Sequence, residues 1–183
     1  MASTQDAVLV ASPEEEQRLS ITSVLRDHWP VRIATTLDGA LDSLDDSIAV
    51  TVIDESIEGA PSDLFAARLE NELSFQILWL GASEGPFADR AEAVLDPARV
   101  EDQSLTIVDR LQRRARYDRL LTRFYELARR RGRDDEESTA EGKPAATDAE
   151  LDSLKRELDE IVAELDDEDA FEVALGDRQT VDR

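Results

Sequence analysis

An α/β fold, a doubly wound parallel sheet of five strands with a C-terminal helical hairpin, is predicted by three features of this 183-residue sequence. Short apolar runs alternate with segments of helical period through residues 1–104. An arginine-rich helical pattern follows without a breaker over 105–131, and a polar linker over 132–147 separates it from a leucine-seamed acidic helix over 148–167. Alternating strands and helices bury a parallel sheet between helical layers. Two striped helices joined by a polar linker pack on each other.

The elements follow in order. Candidate strands are 7–11, 31–34, 49–53, 75–80 and 93–95, each bounded by polar or turn residues. The first helix carries Leu19, Val24 and Leu25 near one face, the second Leu37, Leu41 and Leu44, and the third Leu64, Ala67 or Arg68, Leu69 and Leu73. Ser12, with Pro13 behind it and Glu15 three positions on, reads as a capping box, and Thr35 with Asp38 as another. The segment ASEGPFADRAEA holds Gly85 and Pro86 and leaves room for about two turns or a loop. On the long helix, Leu105, Val108 and Leu111 would cover the sheet, and Tyr117, Leu121, Phe124 and Ala128 would continue beyond its edge. Leu151, Leu154, Leu158, Ile161 and Leu165 then alternate spacings of three and four, the seam of a coiled-coil helix. Its partner is the long helix of the same chain or the same stripe in a second copy, and residues 176–183 remain as a tail.

Charge sharpens this division. The formal net charge is −22, from 43 acidic and 21 basic residues, nineteen of the latter arginine. Residues 1–104 sum to −15, 110–133 to +8 and 134–169 to −13. So many carboxylates suit a surface kept hydrated in high salt, where their mutual repulsion is screened. An apolar fraction of 41%, gathered in short runs, argues against a disordered chain. The absence of cysteine excludes disulfides and thiolate metal sites, and His28 as the sole histidine excludes a His-rich one. With no apolar run of membrane-spanning length and no basic, apolar leader, the expectation is a cytoplasmic protein without membrane contact.

The order of elements, with Asp54 closing the third strand in VTVIDESIEG and Gly59 five residues later, resembles the receiver domain of two-component response regulators. The stretch RARYDRLLTRFYELARR, followed by ELDSLKRELDEIVAELDDEDAFEVAL, resembles the HalX domain, a two-helix module attached to receivers in halophilic archaea and presumed to serve transcription regulation. The resemblances divide the chain into a receiver-like domain over 1–104 and a HalX-like module over 105–175.

The receiver resemblance implies phosphoryl transfer to a carboxylate. That chemistry needs a divalent cation held by converging acids, a lysine to pair with the phosphoryl group and a hydroxyl that reorients towards it. Asp54 matches the acceptor, and the Ser56 carbonyl matches a metal ligand. The acidic pair after the first strand matches Ser12 and Pro13, which have no carboxylate; Glu14 is one position on, where the helix dipole explains it equally. The switching hydroxyl matches Gly81, with Ser83 too far along to replace it, and the lysine matches Asp96, followed by the retained Pro97. Lysine to aspartate reverses a Coulomb interaction on the order of 4 kcal/mol at ~4 Å and an effective dielectric of about 20. Asp54 is therefore expected to be inactive as an acceptor, with no metal and no cofactor. Magnesium belongs only to the competing reading, a phospho-accepting regulator.

Arg110, Arg113, Arg114, Arg116, Arg119 and Arg123 form a basic surface with three readings: ion pairs to the acidic helix, a contact with phosphate backbone, or a protein interface. The expected function is that of a phosphorylation-independent pseudo-receiver, not an enzyme, acting on signalling or transcription proteins and able to form a homodimer through its helical module. Direct DNA binding by the arginine-rich helix is the second alternative. Trp29 and Trp79 read as packing residues, since neither lies beside a basic cluster.

Overall fold

The computed structural model describes residues 6–137 and 145–164. Its elements are β1 (Ala7–Ala11), α1 (Glu15–Leu25), β2 (Val31–Ala34), α2 (Leu37–Asp42), β3 (Ile48–Asp54), α3 (Ser62–Glu70), β4 (Gln76–Leu80), β5 (Ala93–Leu95), α4 (Val100–Glu137) and α5 (Ala145–Glu164). The strands form one sheet in the order β2-β1-β3-β4-β5, with all pairs parallel. The doubly wound five-stranded sheet expected from the sequence is therefore present.

Two compact units divide the chain, Met1–Ala115 and Arg116–Arg183. In the first, the strands are nearly uninterrupted apolar runs because both faces are covered. Val8, Val10, Val50, Val52, Leu78 and Leu80 meet Ile21 and Leu25 of α1 and Val108, Leu111 and Ala115 of α4. On the other face Leu9, Ala11, Ile53 and Ile77 meet Leu37 and Ala40 of α2 and Leu64 and Phe65 of α3. The region between β4 and β5 contains only a 3-10 turn, Ala88–Arg90. Phe87, packed at a tilt against both Trp79 and Phe65, covers the sheet there, so Trp79 packs as expected.

Several local expectations are corrected. β3 is one residue longer at each end, which makes Asp54 part of the ladder, paired with Leu80. Leu19 is 60% exposed and Leu69 79%. The buried face of α1 is set by Ile21 and Leu25, four apart, and Leu19, two before Ile21, lies on the other side. Thr36, not Thr35, caps α2: its hydroxyl accepts the Gly39 N–H at 3.1 Å, the third position of the helix. Gly59 has φ +122°, and a Cβ there would lie 2.8 Å from Leu37, so the turn after β3 requires glycine.

α4 begins at Val100, five residues earlier than expected, and passes through Gly132 to Glu137. Gly132 lowers helix propensity by roughly 1 kcal/mol, too little to end a helix stabilised along its length. In the second unit α4 turns Leu120, Phe124, Leu127 and Ala128 towards Leu151 and Leu154 of α5. Of the expected stripe, Phe124 and Ala128 belong to this cluster, whereas Tyr117 and Leu121 are half-buried outside it. Leu158 is half-buried and Ile161 buried, whereas Leu165 and the tail lie outside the described residues.

A clasp holds the end of β2 to the turn before β3. Arg32 donates to Asp45 at 2.7 Å, to the Ser43 carbonyl at 3.0 Å and to the Ser47 hydroxyl at 2.8 Å. The Ser47 hydroxyl, with Arg32 second, lowers the Asp45 carboxyl from 3.8 to about 2. A depressed folded-state pKa contributes stability that is complete above 3.8 and is lost as pH falls through about 2. The melting-temperature difference between the wild type and Asp45→Asn should accordingly be constant near neutrality and shrink through that acid window, measured at fixed salt. The carboxylate is half exposed, so the difference is small.

Candidate functional site

The carboxyl ends of β1, β3, β4 and β5 meet at one edge of the sheet, where an open α/β fold presents its binding crevice. Asp54 ends β3 there and is 5% exposed. Its Oδ2 accepts the Ser12 hydroxyl at 2.7 Å, and its Oδ1 accepts the Ser56 hydroxyl at 2.7 Å and the Ser56 N–H at 2.9 Å. Three of the roughly four acceptor positions of the carboxylate are thus occupied from within the chain.

Ser12 is 1% exposed and does not act as the expected cap of α1. The helix starts at Glu15, and its N-cap, Glu14, makes no side-chain capping bond. The hydroxyl donates to Asp54 while its oxygen accepts the Glu14 N–H at 3.2 Å, ahead of the first helical residue, so Ser12 closes the loop before α1 and does not reach the helix amides. Arg18 closes the same loop by donating to the carbonyls of Ser12 at 2.9 Å and Pro13 at 3.2 Å. Pro13 itself is exposed.

Glu55 is a site residue that sequence reasoning missed. Its Oε2 accepts the Ala82 N–H at 2.7 Å, while the Ala82 carbonyl accepts from the Trp79 indole at 3.2 Å. The loop after β4 is therefore held from both sides. A Cβ added at Gly81 would lie 2.5 Å from Glu55 Oε2 and 2.6 Å from its Cβ, so the Glu55 side chain fills the space where a switching hydroxyl would project. No signal in the sequence marks it, because the strand register does the placing: Asp54 pairs with Leu80, which sets Glu55 beside Gly81, a long side chain against none.

Asp96 is exposed and turned to local work. Its Oδ1 accepts the Ala98 N–H at 2.8 Å and caps the short 3-10 turn Pro97–Arg99 that leads into α4. A groove of about 650 Å³ opens beside these residues, lined by Glu55, Ser83, Glu84, Val94, Asp96 and Arg99 among others. Ser83 lies on its exposed rim and does not approach Asp54 through any hydrogen bond among the described residues.

Magnesium does not fit this residue set. Ser12 and Pro13 have no carboxylate, Asp54 is engaged by two serines, and Asp96 is engaged by a backbone amide. Among the described residues, no group of three or more acids and histidines is arranged to hold a metal ion.

The six candidate arginines separate. In the second unit Arg116 pairs with Glu157 at 2.5 Å and Arg123 with Glu150 at 2.6 Å; Arg131, not among the six, pairs with Asp148 at 2.8 Å. In the first unit Arg113 pairs with Asp109 on its own helix. Arg110, Arg114 and Arg119 are half-buried.

No family model matches the chain, and no curated protein does. Solved structures do. The chain is similar to the signal receiver domain of a Luxo repressor protein from Vibrio parahaemolyticus, at 14% identity, 64% coverage of this chain, 97% of that chain and a TM-score of 0.52. It is also similar to NtrX from Brucella abortus, solved in complex with ATP, at 15% identity, 69% coverage of this chain, 34% of that chain and a TM-score of 0.50. The first unit thus has the receiver fold of response regulators. No helix of the described residues is long and apolar enough to cross a membrane.

Proposed function

We propose that this chain is a signalling or transcription regulator in which a receiver fold works without phosphoryl transfer, as a platform for protein partners. The carrying observation is the Asp54 carboxylate, buried and hydrogen-bonded to Ser12 and Ser56 at the position where an acceptor would need a free oxygen and a cation. Glu55 beside Gly81 and an aspartate at position 96 support the same reading, because each adds negative charge where a phosphoryl group would come.

The second unit is, on this proposal, the output module, a HalX-like hairpin whose salt-adapted surface suits a halophilic cell. On this proposal the functional boundary lies at 104/105, whereas the compact units part after Ala115, inside α4. Carboxylates on Arg116 and Arg123 favour a protein-binding role for the arginine-rich helix over direct DNA contact, since a phosphate backbone would have to displace them.

The test is intact mass after incubation with acetyl phosphate and magnesium in high salt, for the wild type and Asp54→Asn. The expected result is no phosphoryl increment in either. An increment present in the wild type and absent in Asp54→Asn would overturn the proposal and establish the phospho-accepting alternative.

A further inference from the structure

We propose that the arginine and leucine face of α4 accepts helix α5 from a second copy of the chain, so that two chains associate by exchanging α5. This deepens the reading of the second unit as a partner-binding module. It does not depend on the state of Asp54, which the mass measurement reads separately.

The face carries a repeated register. Arg116 and Arg123 are seven residues apart, two helical turns, and so are their partners Glu150 and Glu157 in the reverse order, which makes the pairing antiparallel. Arg131 with Asp148 extends it. Alongside this charge row, Leu127, Leu151 and Leu154 are buried against Leu120, Phe124 and Ala128. A phosphate backbone could satisfy the arginines but not the leucines. An acidic amphipathic helix satisfies both.

The helix with demonstrated charge and apolar complementarity is α5 itself. A copy of α5 supplied by another chain makes the same contacts, so the choice between the two arrangements is set by concentration and connection, not by lost interactions. The intramolecular hold is modest. The ion-paired side chains are 38–60% exposed, where each pair contributes little. The apolar part is small as well, a cluster of Leu127, Leu151 and Leu154 with Ile161 buried further along α5. Two chains of charge −22 repel at low ionic strength, and salt relieves that repulsion while leaving the apolar seam intact.

Charge-reversed full-length chains test this. One variant carries Arg116→Glu, Arg123→Glu and Arg131→Glu, which sets like charges on its own α5; the other carries Asp148→Arg, Glu150→Arg and Glu157→Arg, which sets like charges on its own α4. Mixing makes both exchanged pairings complementary, while both chains stay net acidic and have no general attraction. Sedimentation in high salt should show each variant alone at the mass of one chain and the mixture at twice that mass, with a gain in helicity by circular dichroism over the sum of the separate samples. In parallel, two differently tagged wild-type pools, incubated together at high concentration, should co-purify. A mixture that sediments and absorbs as the sum of its parts, or wild-type pools that stay separate, would overturn the exchange.

Discussion

Asp54→Ala is expected to destabilise the sheet unit, by about 1–3 kcal/mol, because it strips the acceptor from a buried donor. The Ser12 hydroxyl, 1% exposed, gives its hydrogen to Asp54 at 2.7 Å, and its other oxygen neighbour, the Glu14 carbonyl, is at 3.2 Å. The Ser56 donors lie nearer to solvent and lose less. Asp54→Asn keeps one carbonyl oxygen and should cost less than Asp54→Ala. Ser12→Ala, which removes the donor and leaves Asp54 its two bonds from Ser56, should fall between them. The measurement is urea unfolding at constant high salt, comparing midpoints at unchanged slope. If Asp54→Ala leaves the midpoint where it was, the carboxylate does not pin the end of β1 to the end of β3.

Gly81→Thr should be costly for a reason that lies on another strand. Its Cβ would come 2.5 Å from Glu55 Oε2 and 2.6 Å from Glu55 Cβ, and only the former is the movable end of a side chain. Overpacking of this kind costs typically 1–3 kcal/mol. Glu55→Ala should relieve it in part, since its Cβ stays, and Glu55→Gly should relieve more. A double-mutant cycle for Gly81→Thr with Glu55→Gly should therefore give a favourable coupling of about 0.5–3 kcal/mol. Additive effects would mean that Glu55 does not occupy the place of the missing hydroxyl.

The local pattern carried the strands well because each is a short apolar run closed by polar residues, and β1, β2 and β5 fall on their expected residues. Caps were less legible. Ser12 followed by Pro13 and Glu15 has the pattern of a capping box, yet its hydroxyl donates to a carboxylate 42 positions away and accepts only the Glu14 N–H, ahead of the helix. Helix α4 shows the same limit: the stripe that covers the sheet, Val108 and Leu111, was readable from spacing, whereas the choice of Leu120 and Leu127 over Tyr117 and Leu121 depends on where α5 lies.

At the site, the sequence by itself determined what is chemically missing: no carboxylate at Ser12 and Pro13, no hydroxyl at Gly81, no cation at Asp96. Residue identity suffices for that, since a functional group absent from a side chain cannot be supplied by folding. Only the tertiary structure decided what the remaining groups do instead. Asp54 is a bridge between strand ends, Glu55 fills the volume above Gly81 and holds Ala82, and Asp96 caps a turn. These roles arise between residues distant in the chain, through strand register and shared burial, and neither quantity is present in the order of residues until the sheet has formed.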